Sequence, residues 1–136
     1  MVVRADNNGI SIDENTFPDP EFRQYISYIV DVNGDGVLSD PEIENVKEID
    51  VSSLESRMDP YWGIRGLVGI EYFKELEVLN CENNMIQSLD LCGNTRLKAL
   101  NCSRNKLNSL DISQCIVLET IDCCGNELHE HHYQSD

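Results

Sequence analysis

Three stretches of this 136-residue chain superpose at a spacing of twenty-one residues: Leu76, Leu97 and Leu118; Leu79, Leu100 and Ile121; Cys81, Cys102 and Cys123; Asn84, Asn105 and Asn126. Ile86, Leu107 and Leu128 close the shared frame, L-x-x-L-x-C-x-x-N-x-L. A self-similar period in the twenties marks repeats that bury their apolar faces only by stacking on one another. The spacing predicts an α/β chain wound as a solenoid around a short parallel sheet, an architecture suited to binding more than to catalysis.

The rest of the chain is organised around that frame. Residues 1–18 read as a lead-in segment, since Asn7-Asn8-Gly9 and Phe17-Pro18 are turn signals. Asp19-Pro20-Glu21 offers an N-cap, a first-turn proline and an acid at the positive helix end. Phe22, Tyr25, Ile26 and Ile29 follow at helical spacing, which predicts a helix over about 20–30. Ser39 is placed to cap a second helix running through Ile43 to about Lys47. Val46, Ile49 and Val51 then repeat the spacing of the later coils, so that 48–51 is a first strand and the unit 19–51 is fused to the sheet. Residues 52–63 read as an inserted loop, 64–128 as the repeats, and 129–136 as a C-terminal tail. Further strands are expected near 77–81, 98–102 and 119–123.

Charge narrows the partners. The chain carries a net charge of −15, and residues 1–60 alone hold 14 acids against 4 basic side chains. A surface of this sign repels phosphate backbones and anionic lipid, which argues against nucleic acid, while a cation would be welcome near the N-terminal half. No apolar run reaches the roughly 20 residues of a membrane span, so no membrane insertion is expected. The opening MVVRADNNG lacks the apolar core of a signal peptide. The chain therefore reads either as cytosolic or as the mature part of an exported protein.

Asp31 to Glu42 matches D-x-[DN]-x-[DN]-G-x5-E at every required position. Calcium is a hard cation that takes six to eight oxygens. Asp31, Asn33 and Asp35 offer side-chain oxygens, Val37 its carbonyl, Ser39 a direct or water-bridged ligand, and Glu42 both carboxylate oxygens. Gly36 permits the sharp turn that aims them inward. With a predicted helix on each side and Leu38 at the eighth position, the segment resembles the EF-hand family, although an acidic turn could mimic such a loop. Asp6-Asn7-Asn8-Gly9 is too incomplete to be the second loop that EF-hands generally have. The resemblance implies a structural or extracellular Ca2+ site more than a sensor, one that would stiffen an α-helical, EF-hand-like cap on the solenoid.

Residues 64–128 resemble the bacterial leucine-rich repeats of the 21-residue, cysteine-bearing, internalin-like class. The resemblance implies a right-handed solenoid. Asn84, Asn105 and Asn126 would form an asparagine ladder satisfying backbone groups where the chain leaves each strand, and Cys81, Cys102 and Cys123 a cysteine ladder inside it. It also implies a concave face carrying Glu77, Val78, Asn80, Glu82, Lys98, Ala99, Asn101, Arg104, Glu119, Thr120 and Asp122. The column Glu77, Lys98, Glu119 fits a stabilising charge ladder as well as a recognition surface.

Other features leave two readings each. Cys92 and Cys115 sit in successive coils and could approach to form a disulfide, or remain reduced loop thiols. Cys124, next to an inward Cys123, should face outward. Tyr61-Trp62 could anchor a partner or cover the junction between cap and first coil. His129-Glu130-His131-His132 could bind a transition metal or be solvated. No spacing places a nucleophile beside a base and no phosphate-cradling loop is present, so no enzyme activity is expected. The chain reads as a calcium-binding leucine-rich-repeat module, extracellular or on a bacterial cell surface, engaging a protein or cell-surface ligand through its concave face. It is expected to be a monomer or a weak dimer through its open C-terminal coil. The alternative is a structural spacer of a longer surface protein.

Overall fold

The computed structural model describes residues 9–52 and 63–128, and the backbone of 133–134. Asp19 opens the first helix: its Oδ1 accepts the N–H groups of Glu21 and Phe22, each at 3.0 Å, while Pro20 fills the first turn, where its missing N–H costs nothing. Helix α1 (Pro20–Tyr25) passes directly into a π-helical turn, Ile26–Val30. The expected span of 20–30 is thus helical, but its last turn is wide, with the Asp31 N–H donating to the Ile26 carbonyl at 3.0 Å. The extra residue in that turn rotates the faces. Ile26 and Val30 are buried, whereas Ile29, expected on the buried face, is 58% exposed.

Ser39 caps α2 (Asp40–Glu44) in a reciprocal arrangement, the Glu42 N–H donating to Ser39 Oγ at 3.3 Å and the Ser39 N–H to Glu42 Oε1 at 2.8 Å. This helix stops at Glu44, short of the expected Lys47, because the Lys47 carbonyl already accepts the N–H groups of Glu77 and Val78 in the sheet. Within the expected lead-in lies an unforeseen strand. β1 (Ile10–Ser11) pairs antiparallel with β2 (Val37–Leu38), Ile10 opposite Leu38, and the Ile12 N–H donates to the Gly36 carbonyl at 3.0 Å.

Six more strands follow: β3 (Glu48–Asp50), β4 (Val78–Asn80), β5 (Ala99–Asn101), β6 (Leu110–Asp111), β7 (Thr120–Asp122) and β8 (Tyr133–Gln134). A four-stranded parallel sheet runs in the order β3-β4-β5-β7, and its register places Ile49, Leu79, Leu100 and Ile121 side by side. The twenty-one-residue period has become one sheet position per repeat. A second parallel column, β6 with β8 and an Asp90–Asp111 bridge, runs on another side of the repeats and reaches into the segment expected as a tail. Of the expected inserted loop, 53–62 lies outside the described residues, as do Tyr61, Trp62, His129, His131 and His132.

The N-terminal segment and the repeats share one core. The Phe17 ring meets Phe22 at 5.7 Å, Tyr72 at 5.8 Å and Phe73 at 6.4 Å between centroids. Asp19 acts on both sides of the junction, its Oδ2 accepting the Arg65 N–H at 2.8 Å. Gly69 has a φ of +108°, and a Cβ there would clash with the edge of the Phe17 ring and lie 2.7 Å from the Thr16 carbonyl oxygen. Gly69→Ala combines a left-handed backbone with overpacking and should cost about 3 kcal/mol, read as a lower urea midpoint at unchanged m-value.

Candidate functional site

The acidic loop follows the π-helical turn directly. Gly34 and Gly36 adopt φ of +68° and +80°, a conformation that glycine takes at little cost. The turn at Gly36 brings its own N–H to Asp31 Oδ2 at 2.8 Å. Asn33 Oδ1 accepts from the Asp35 N–H at 3.3 Å, and Asp35 Oδ1 from the Val37 N–H at 3.1 Å. Glu42, arriving from α2, accepts the Val32 N–H on Oε2 at 3.0 Å. The result is convergence: Asp31, Asp35 and Glu42 each bring a carboxylate oxygen within 4.8 Å of the others.

Asp31 and Glu42 are only 6% and 8% exposed, whereas Asn33 and Asp35 lie at the surface. Ser39 Oγ is engaged with the Glu42 carboxylate at 3.2 Å, and Val37 lies in β2 opposite Ser11. One atom is left over. Asp31 Oδ1 is buried and has no hydrogen-bond partner, a costly state for a carboxylate oxygen unless a cation meets it. The donors are oxygens throughout, which suits a hard cation and not a thiophilic one.

The repeats are stitched by their asparagines. Asn105 Oδ1 accepts the Ile86 N–H at 3.0 Å, and its Nδ2 donates to the carbonyls of Cys81 at 2.9 Å and Cys102 at 3.1 Å. Asn84 makes the same set to Ile64, Val51 and Cys81, and Asn126 to Leu107, Cys102 and Cys123. Each amide thus ties its own strand end to the repeat before it. A second buried column was not foreseen: Asn94 donates to the carbonyls of Ile70 and Phe73, and Cys115, twenty-one residues on, points its thiol at those of Leu91 and Asn94.

No protein-family profile matches the sequence, and neither does any curated protein. Among solved structures, an internalin, InlF, from Listeria monocytogenes aligns with a TM-score of 0.77 at 19% identity, over 93% of this chain and 36% of its own. The functional domain of Listeria monocytogenes InlJ, which includes a cysteine ladder, aligns at 0.55 and 23% identity, over 88% of this chain and 29% of its own. Internalin C2 of the same species aligns at 0.51 and 12% identity, over 90% of this chain and 71% of its own. The chain has an internalin-like leucine-rich-repeat fold. It spans about a third of the first two of these proteins.

In that fold Cys81 and Cys102 are inner ladder members. Burial pushes both thiols up, that of Cys102 to about 12, so they are inert as nucleophiles. Cys123 is half-buried in the last repeat, and Cys124 is exposed as expected. None of the six cysteines is joined in a disulfide. Cys115 is not a loop cysteine but a buried column mate of Asn94, and Cys92 lies on the surface, which explains why the two are not joined.

Strand-end side chains on the outer face hold their own turns. Asp50, Asn80, Asn101 and Asp122 lie in register across the sheet, and each Oδ1 accepts the N–H two residues on, at 3.0, 3.1, 3.1 and 3.2 Å. Asp90 and Asp111 do the same in the second column. The signal was visible as Asp-x-Ser at Asp50, Asp111 and, with asparagine, Asn101; at Asp90 and Asp122 a cysteine replaces the serine. Of the proposed concave residues, Asn101 Nδ2 donates to Glu82 Oε1 at 3.2 Å and Lys98 lies 3.9 Å from Glu77. A further cross-repeat set, Glu75 with Lys47 at 3.7 Å and Arg96 at 3.4 Å, was missed. Glu119 is exposed, and Arg104 is exposed at a φ of +59°.

Hydrogen bonding to Asp90 and Asp122 raises the thiols of Cys92 and Cys124, so less thiolate is present at a given pH. Alkylation in the folded chain should reach Cys92 and Cys124 first, leave Cys81, Cys102 and Cys115 to urea, and keep accelerating above pH 9. Asp90→Asn removes the acceptor charge and should speed Cys92 labelling at pH 7.5, followed by peptide mass spectrometry.

Proposed function

We propose that the chain is a calcium-stapled leucine-rich-repeat interaction module that works outside a bacterial cell. The observation that carries the metal half is the buried, unpartnered Asp31 Oδ1 facing a loop whose other carboxylates converge on it. Asp31, Asn33, Asp35, the Val37 carbonyl and Glu42 would hold Ca2+, with Ser39 acting through water because its hydroxyl already serves Glu42. The ion would fasten the π-helical turn to α2 and so stiffen an EF-hand-like cap on the solenoid, while offsetting part of the acidic charge. Extracellular calcium is abundant enough to fill a lone, modest site, which fits display outside the cell.

For the interaction half, the internalin neighbours support a protein or cell-surface ligand, and the concave residues Glu77, Asn80, Glu82, Lys98, Asn101, Arg104, Glu119 and Asp122 are the candidate surface. A second reading has a specific observation in its favour. Several of those side chains are bound into turns or cross-strand pairs, as expected of a spacer whose polar face serves its own stability. The chain is taken to be monomeric, with weak pairing through its C-terminal edge as the competing state.

Thermal unfolding in EDTA, in EDTA with excess magnesium, and in millimolar calcium tests the metal. Calcium at about a hundred times its dissociation constant adds about 2.7 kcal/mol, a rise in Tm of roughly 5–15 °C for a chain of this size. The rise should vanish in Asp31→Ala and shrink in Glu42→Gln; an equal Tm in all three buffers overturns the site.

A further inference from the structure

Six large apolar side chains are well exposed among the described residues, and three of them fall within five positions: Tyr28 at 76%, Ile29 at 58% and Val32 at 81%. They are where the π-helical turn leads into the acidic loop. Beside them opens a cleft of about 360 Å3 lined by Ile29, Val30, Val32 and Val46, with Glu42, Glu48 and Lys47 among its polar members. That volume falls within the range of pockets that hold a side chain or small ligand. The cleft is built on fixed parts. Val30 in its lining is buried, and the Val32 N–H donates to Glu42 Oε2 at 3.0 Å.

Charge selects the occupant. Residues 28–48 contain six acids and one lysine, and that lysine, Lys47, is already 3.7 Å from Glu75. A second copy would bring the same acidic half against this one, and an anionic lipid surface would be repelled. A cationic segment with one large apolar side chain satisfies both features, placing the side chain in the cleft and its basic neighbours against the exposed Glu44 and Glu48.

We propose that the cleft between the π-helical turn and the start of β3 is a docking site for a short basic segment of a partner protein, anchored by one large apolar side chain. This surface is separate from the concave face, and the acids that would meet the basic residues, Glu44 and Glu48, are not among those assigned to calcium.

The test is amide-shift NMR of the 15N-labelled full chain, in EDTA and again in calcium, titrated with the acetylated amide Lys-Lys-Phe-Lys-Lys. Lys-Lys-Ser-Lys-Lys and Glu-Glu-Phe-Glu-Glu serve as controls. Saturable shifts should centre on Ile29, Val32, Val46 and Glu48, with affinity at least threefold above the serine peptide and tenfold above the acidic one. The double substitution Ile29→Ser, Val32→Ser touches exposed positions only and should weaken binding at least fivefold while the amides of Leu100 and Cys102 stay in place. Shifts spread evenly over all acidic residues, equal binding of the serine peptide, unchanged binding by the double variant, or shifts at the same amides on concentrating the protein alone would each overturn the proposal.

Discussion

Each repeat in this chain is too small to bury its own backbone ends, and the asparagine side chain is what makes stacking possible. At every strand exit the main chain turns inward and leaves N–H and C=O groups without strand partners, a condition that costs roughly 1–3 kcal/mol per group when buried. Asn105 resolves three such groups, two of them belonging to the preceding repeat. Because the amide acts across the boundary, a repeat is complete only when its neighbour is present. The parallel register, the cysteine column and the leucine core all rest on that reciprocity.

The same requirement explains what was legible in the sequence. A residue that must recur at one phase leaves a period, and so the asparagines, the inward leucines and the cysteine column could be placed within each repeat from their spacing alone. The acidic loop was legible for another reason: a metal-type loop fixes residue identity at every second position and a glycine at its turn. Convergence of Asp31, Asp35 and Glu42 follows from that spacing.

Features with no period were missed. The π-helical turn is a change of one residue in hydrogen-bond reach, so helical spacing still fitted Tyr25, Ile26 and Ile29 while the real turn left Ile29 in solvent. Strand β1 has two residues, too few for alternation to register, and its pairing to β2 is fixed by the loop it joins. Cys115 was misassigned because cysteine was compared with cysteine; its phase is that of Asn94, and a thiol occupies the place of an amide at the same pair of carbonyl positions. The turn-holding role of Asn101 and Asp122 was present as Asn-x-Ser and Asp-x-Cys, and that of Asn80 as Asn-x-Glu, but was masked by reading each residue as outward and therefore available.

Availability is the point on which the two surfaces of the molecule differ. On the sheet face, polar groups are held by the chain itself: Asn101 holds Ser103 and reaches Glu82, Lys98 faces Glu77, and Asp122 holds the Cys124 N–H. A partner arriving there must displace internal hydrogen bonds or accept only their spare acceptor capacity, which lowers the gain per contact. Around the cleft beside the acidic loop the situation is reversed, since Tyr28, Ile29 and Val32 spend their apolar surface on water and the one nearby lysine is paired elsewhere. Covering apolar area while neutralising like charge releases free energy on both counts. A fold with internalin-like repeats therefore need not use its sheet face first, and the N-terminal segment that begins the stack is physically the better prepared of the two.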